Sequence, residues 1–318
     1  MWYTDGVYWQ NMAGDCRQAM QKDLGIRKVS SGDPDYPENL RAVEDPPQAL
    51  FVRGSVLPCD RVAVAVVGTR SPTAVGKNIA FELARDLSSA GVTVVSGLAM
   101  GIDAAAHRGA LEGGGRTIAC LGTGVDVPYP RMNAALFEEI PQRGALLSEY
   151  EPGAEALPWR FPKRNRIIAG LSLGVVVVEA GKKSGALITA DHALGQGRPV
   201  MAVPGSPKSG SSAGCNKLIQ DGAYLVTCAQ DVLDFLAREG EWVPSGPRAA
   251  PRSANMSLEE DAVLEILDRE PLTADQLAER VPELSPGRLL SVLTVLEMKG
   301  MVLRAPGGAY SAAALRGQ

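Results

Sequence analysis

From Arg61 onward, continuous apolar runs and helical periodicities take turns along the chain. Val62-Ala-Val-Ala-Val-Val-Gly68 is an unbroken apolar run closed by glycine, as expected of a central parallel strand buried on both faces. A polar turn follows, and Ile79, Ala80, Leu83, Ala84 and Leu87 then recur at helical spacing between Gly76 and Ser89. Gly91 closes that helix, and Val92 to Ser96 reads as the next strand. The alternation continues with an alanine-rich helix from Gly101 to Glu112, a strand from Thr117 to Leu121, a helix around Phe137 and a strand from Ala145 to Ser148. Val175 to Glu179 is the most apolar strand, followed by a helix from Leu187 to Leu194 and strands at 200–203 and 223–226. Strands alternating with helices predict a parallel sheet covered on both faces, a doubly wound α/β fold, over residues 61–240. Residues 1–60 are expected to be a short N-terminal segment partly packed on that core.

The proline- and glycine-containing stretch 241–255 reads as a linker. Beyond it, Ser257-Leu-Glu-Glu260 and Thr273-Ala-Asp-Gln276 fit the capping box, and Ser285-Pro286 places a cap residue before a proline at the first helical position. Two short apolar strands then flank a Pro-Gly-Gly turn. Three helices followed by a hairpin predict a small winged-helix domain over 256–316.

Composition narrows the chemistry. The 318 residues are 45% hydrophobic and 21% charged, ordinary for a globular protein, and no apolar run reaches the ~18–20 residues that span a bilayer. The first residues lack the basic flank and apolar run of a signal peptide. Five scattered cysteines without a C-x-x-C pair, and only two histidines, predict free thiols, no metal and a cytoplasmic setting. The formal net charge is −4, yet nine basic residues fall between Leu157 and Leu218 against Glu179 and Asp191. An acidic chain with one basic zone suits a polyanion partner.

That zone coincides with turns of a phosphate-holding kind. Gly68-Thr69-Arg70-Ser71 sits where the first strand gives way to its helix, where free helix-end N–H groups favour an anion and Arg70 adds a bidentate cation. Gly97, in Ser96-Gly97-Leu-Ala-Met-Gly101, and Ser184-Gly185, in Glu179-Ala-Gly181-Lys-Lys-Ser184-Gly185, follow two further strands in the same way. In an open parallel sheet such turns gather beyond the carboxyl ends of the strands. The spacing matches neither the dinucleotide nor the P-loop motif. Arg160-Phe161-Pro-Lys163-Arg164-Asn165-Arg166, placed before a helix or loop, adds four cations around an aromatic ring. Asp103 and His107, four apart on one helix, have the spacing of an acid–base pair, but a capping carboxylate and an interior histidine form the plainer reading. No nucleophile with a neighbouring base is evident, and no catalytic residue is assigned.

Val-Val-Gly-Thr-Arg, Ser-Gly-Leu-Ala-Met-Gly-Ile-Asp-Ala-Ala-Ala-His, Phe-Pro-Lys-Arg-Asn-Arg-Ile-Ile-Ala-Gly-Leu and Ser-Gly-Ala-Leu-Ile-Thr-Ala, in this order, resemble the bacterial DNA-processing protein A family, also called Smf. Tyr36-Pro37, Pro46-Pro47, Gly122-Thr-Gly-Val-Asp126 and Tyr129-Pro130 extend the resemblance, which covers about Asp33 to Leu236. It implies a Rossmann-like, dimer-forming, non-catalytic protein without cofactor that binds single-stranded DNA and loads the RecA recombinase during natural transformation. It also implies that Gly68, Thr69, Arg70, Lys163, Arg164, Asn165 and Arg166 contact the DNA backbone, with Ser184, Gly185 and Thr189 completing the phosphate pocket. Phe161 or Tyr129 would stack a base, worth ~1–3 kcal/mol where it occurs. Many members carry a helical domain before the Tyr-Pro region, for which about 30 residues are available here.

Two rival readings stand beside this one. Rossmann-like phosphoribohydrolases also use glycine-rich turns after apolar strands with an acid after one of them, as at Glu179-Ala-Gly181. Their Pro-Gly-Gly-x-Gly-Thr turn is absent. A transcription factor with a ligand-sensing Rossmann domain is the other, but residues 255–318 hold six basic against ten acidic residues, a poor match to duplex phosphates.

Overall fold

The structure is a computed structural model, and it describes residues 25–240, 257–267, 271–281, 284–298, 301–304 and 308–312. The expected linker at 241–255 lies outside the described residues. The chain divides into two compact units, 1–244 and 245–318.

The first unit is built on a nine-stranded sheet in the order β1-β2-β6-β5-β4-β3-β7-β8-β9. These strands are β1 (Ile26–Ser30), β2 (Ala49–Gly54), β3 (Ala63–Val67), β4 (Thr93–Ser96), β5 (Thr117–Cys120), β6 (Gly144–Ser148), β7 (Gly174–Val177), β8 (Val200–Ala202) and β9 (Tyr224–Leu225). The seven from β3 to β9 run parallel, whereas β2 joins β6 and β1 joins β2 antiparallel. The sheet therefore starts at Ile26, within the segment expected only to pack on the core. Four of the five β1 residues are exposed, so that strand carries no apolar signal.

The parallel part of the sheet starts in the centre at β3, winds outward through β4, β5 and β6, then returns to β7 on the other side of β3. This doubly wound, Rossmann-like topology reverses direction between β3 and β7, and the loops there splay apart into a crevice. Pleating divides the central strands between two cores. Ala63, Ala65 and Val67 of β3 pack on one face with Val175 and Val177, while Val64 and Val66 pack on the other with Val176. Both faces being covered explains why these strands read as unbroken apolar runs.

One face is covered by α2 (Ala74–Ser89), α3 (Ile102–Glu112) and α8 (Ala229–Arg238), through Leu83, Leu87, Ala106, Ala110, Val232 and Leu236. The other carries α5 (Arg160–Leu171) and α6 (Gly185–Gly195), through Ile167, Ile168, Ala186 and Ala190. The helices α1 (Glu38–Arg41), α4 (Ala134–Arg143) and α7 (Ala213–Gln220) complete the unit. No helix among the described residues is long and apolar enough to cross a membrane.

At the amino ends of β3 and β5, away from the crevice, Arg116 and Asp60 form a buried bidentate pair with N···O distances of 2.7 and 2.8 Å. Arg116 also donates to the Ser55 carbonyl, and Asp60 accepts from the Thr93 hydroxyl and the Leu57 N–H. Such a network holds the N-terminal hairpin region to the parallel sheet.

The second unit contains α9 (Leu258–Leu267), α10 (Ala274–Arg280) and α11 (Pro286–Met298) with a small antiparallel sheet, β10 (Leu272–Thr273), β12 (Ala309–Ala312) and β11 (Val302–Arg304), in that order. Leu264, Leu267, Leu277, Leu293, Leu296 and Val302 form its core. Both expected capping boxes are formed, Ser257 with Glu260 and Thr273 with Gln276. This is the winged-helix arrangement.

Replacing Arg116 by methionine leaves the Asp60 carboxylate buried without its cation. The expected loss is about 3–5 kcal/mol of unfolding free energy, read as a lowered urea midpoint at unchanged slope.

Candidate nucleic-acid interface

Three strand-to-helix turns meet beyond the carboxyl ends of β3, β4 and β7 and are tied together through the backbone. The Thr69 N–H donates to the Glu179 carbonyl at 2.7 Å, and the Thr69 carbonyl accepts from the Ile102 N–H at 3.2 Å. Gly101 adopts φ +83°, and a Cβ there would lie 2.4 Å from the Thr69 carbonyl oxygen. No other residue fits this approach of two turns.

Glu179 has a second task. Its buried carboxylate accepts from the Thr73 hydroxyl at 2.8 Å and the Thr73 N–H at 3.2 Å, while the Thr73 hydroxyl accepts from the Gly76 N–H and caps α2. A Cβ at Gly76 would lie 1.9 Å from Glu179 Oε2. The acid that invited comparison with phosphoribohydrolases is therefore seated against a helix N-terminus, where charge and free N–H groups hold a carboxylate.

The basic run forms the first turns of α5 itself. Pro162 is tolerated because the N–H groups of a first turn have no intrahelical partner. Helical spacing then distributes the run over different sides. Arg164 points inward and is 3% exposed; its Nη1 donates to the Gly97 carbonyl at 2.8 Å and also to that of Cys120. Asp103 lies beside it, accepting from the Gly97 N–H at 3.1 Å and the Ala99 N–H at 3.4 Å. Burial pushes the Asp103 carboxyl above its usual range, against the pull of Arg164 and these N–H groups. Burial likewise lowers the Arg164 guanidinium, though not to where an arginine loses its proton. A Cβ at Gly97 would lie 2.6 Å from Arg164 Nη2. Arg164 and Gly97 thus form one wedge between the β4 and β5 ends.

Above this wedge opens a cleft of about 720 Å³. Gly68, Thr69 and Arg70 line one side, Phe161, Arg164 and Asn165 the floor and the α5 side, and Ser184, Gly185 and Thr189 the start of α6. The Asn165 Nδ2 reaches the Gly185 carbonyl at 3.4 Å, and Ser184 caps α6 by accepting from the Ala186 N–H. Arg70 is exposed, with its guanidinium carbon 5.6 Å from the Phe161 ring centroid. The Tyr129 ring lies 5.3 Å from that of Phe161, tilted by 34°, so Phe161 has both a cation and a second aromatic ring as neighbours in the cleft lining.

The expected set thus separates. Ten of its members line the cleft: Gly68, Thr69, Arg70, Tyr129, Phe161, Arg164, Asn165, Ser184, Gly185 and Thr189. Gly97 lies beneath the wall, and Ser71 is exposed beside it. Lys163 and Arg166 turn to the other side of α5, where both meet Glu149, Lys163 at 3.4 Å; Arg166 also donates to the Asp45 carbonyl at 2.8 Å. Lys183, Ala156 and Pro158 are cleft walls absent from the expected set. Lys183 was visible in the Gly-Lys-Lys-Ser turn, whereas Ala156 and Pro158 carry no local signal.

Asp103 and His107 do not form a pair, since each goes to other partners. The Thr117 hydroxyl donates its one proton to the Val94 carbonyl, so at 2.7 Å it accepts from His107 Nδ1–H. Burial then holds the imidazole neutral, with its pKa lowered to about 3. Among the described residues no group of three or more His, Cys, Asp or Glu side chains is placed to hold a metal ion.

A doubly wound sheet with a crevice lined by cations and aromatic rings at its switch point is followed along the chain by a winged-helix unit. The profile described as DNA recombination-mediator protein A matches residues 27–237, and that described as DprA winged helix domain matches 247–308. The chain belongs to the DNA recombination-mediator protein A family. The X-ray structure of DNA processing protein A from Streptococcus pneumoniae superposes with a TM-score of 0.63 at 45% identity, covering 71% of this chain and 79% of that one. DNA processing protein A from Helicobacter pylori, whose structure concerns a single-stranded DNA binding mode, gives 0.61 at 31% identity, covering 68% and 97%. A Mycobacterium tuberculosis relative is 45% identical over 240 residues, or 75% of this chain, and the match spans 61% of that protein's length.

Two outcomes follow from the buried groups. Because the folded pKa of His107 lies below its unfolded value, the unfolded chain takes up the proton first, and stability falls as pH drops from 6.5 towards 3. The stability difference between wild type and His107→Asn should change by about 1.4 kcal/mol per pH unit across that window, measured by urea unfolding, and be flat above it. Arg164→Met should cost about 3–5 kcal/mol in the same measurement, because two carbonyls and Asp103 lose their cation.

Proposed function

We propose that the cleft holds the sugar–phosphate backbone of single-stranded DNA and that the protein acts without turnover, protecting the strand and passing it to the RecA recombinase in transformation and recombination. The observation that carries this reading is the cluster of Arg70, Phe161 and Tyr129 in the cleft lining, with Phe161 beside both of the others. An exposed guanidinium grips a phosphate from solvent, and the adjoining rings offer bases a stacking face that tolerates any sequence. The start of α6, at Ser184 and Gly185, adds N–H groups and a positive dipole end to the same opening. Family membership and the single-stranded DNA binding of the Helicobacter pylori relative support the choice of ligand. A homodimer would present two such clefts to one strand and raise avidity. The rival enzymatic reading needs Glu179 as an acid at substrate, and that carboxylate is hydrogen-bonded to Thr73.

Fluorescence anisotropy with labelled oligo-dT at two salt concentrations tests the reading. Arg70→Ala should weaken binding by about ten- to a hundredfold, as loss of a charge-assisted bond implies, and reduce the salt slope by roughly 0.7. Unchanged affinity in a folded mutant would remove the cleft from the mechanism, and no wild-type binding at low salt would remove single-stranded DNA as the ligand.

A further inference from the structure

Just outside the cleft, Trp159 is 56% exposed, although a large aromatic side chain gains most by burial. It is nevertheless held in place. The Tyr150 ring meets it edge-on, 6.1 Å between centroids at 88°. The Arg160 guanidinium carbon lies 4.4 Å from the Tyr150 centroid and 5.4 Å from that of Trp159. Arg160 also donates to the Glu155 carbonyl at 2.8 Å, clamping the segment that carries the tryptophan. A ring pinned in this way loses little freedom when something stacks on its open face.

Trp159 is the cap residue of α5 with helical dihedrals, φ −70° and ψ −20°. Lys163, four residues on, therefore lies on the same side of the helix start. Its side chain is 51% exposed, and it shares Glu149 with Arg166. Lys163 can leave Glu149 for another anion without stranding that carboxylate, because Arg166 remains. The step is continuous with the cleft, since Ala156 and Pro158, immediately before Trp159, form part of the cleft wall.

We propose that Trp159 and Lys163 form a second base-stacking and phosphate-holding step, which receives a single strand as it leaves the cleft across the start of α5. The proposal rests on the cleft's being a single-strand site. It assigns a place to Lys163, a residue of the basic run that does not line the cleft.

The test compares oligo-dT of about six and about fifteen nucleotides, within the range of single-strand site sizes, against wild type, Trp159→Ala, Trp159→Phe and Arg70→Ala. Lengthening the oligonucleotide should tighten wild-type binding, and Trp159→Ala should cut that gain by at least about fivefold, as loss of one stacked base implies. Trp159→Phe should keep most of the gain. The chain has four tryptophans, so replacing Trp2, Trp9 and Trp242 by phenylalanine leaves Trp159 as the sole tryptophan, and the long oligonucleotide should quench its emission under excitation selective for tryptophan. An undiminished length gain in Trp159→Ala, or no quenching, overturns this step alone if Arg70→Ala still loses affinity. Equal losses on both lengths would make Trp159 a support of the cleft wall and overturn it too. Absence of wild-type binding to either length overturns the step together with the reading beneath it.

Discussion

Glu179 stands where β7 gives way to its loop, and both ends of the residue are engaged. Its carbonyl receives the Thr69 N–H from the neighbouring turn, and its carboxylate, through Thr73, holds the first turn of α2. These contacts join the two strands between which the sheet reverses direction, where the loops would otherwise diverge. The cleft depends on that join, because it aligns the Arg70 turn with the start of α6. Gly76 and Gly101 are required by it, one to admit the carboxylate and the other to let the Thr69 turn approach.

Arg164 makes the complementary contact from the other side. A guanidinium buried among carbonyl oxygens costs several kcal/mol of desolvation, and only a full set of acceptors and a nearby carboxylate offset this. Gly97, Cys120 and Asp103 supply them. The basic run therefore does three jobs. Arg164 braces the cleft floor, Lys163 and Arg166 face Glu149, and Arg160 clamps the Tyr150 and Trp159 rings. The charge that opens into solvent at the mouth comes instead from Arg70 and Lys183. A count of charges along the chain measures neither their direction nor their availability.

Much of the parallel sheet was legible in the sequence because a strand buried on both faces must be apolar at every position, and a helix packed on it must be apolar every third or fourth. Both patterns are local, as are the glycine turns and the capping boxes. The β1 and β2 strands both escaped; β1 sits at an edge, with one side chain buried, and the antiparallel hydrogen bonds that join the two leave no mark on residue type. The basic run looked like one surface because its residues are adjacent in sequence, whereas 100° of rotation per residue sends neighbours to different sides of α5.

The amino-acid sequence by itself determined the alternation of parallel strands and helices from β3 onward, the turns at which backbone N–H groups are free, and the residue types able to hold a phosphate or a base. Each of these depends on a residue and its near neighbours. The tertiary structure alone decided which turns face one another, which cations are buried as braces, and that Phe161 and Tyr129 stand beside Arg70 while Trp159 stands apart. Those outcomes depend on the crossover from β6 to β7 through α5. It brings residues a hundred positions apart into hydrogen-bonding range, and no local pattern encodes a contact between elements so distant along the chain.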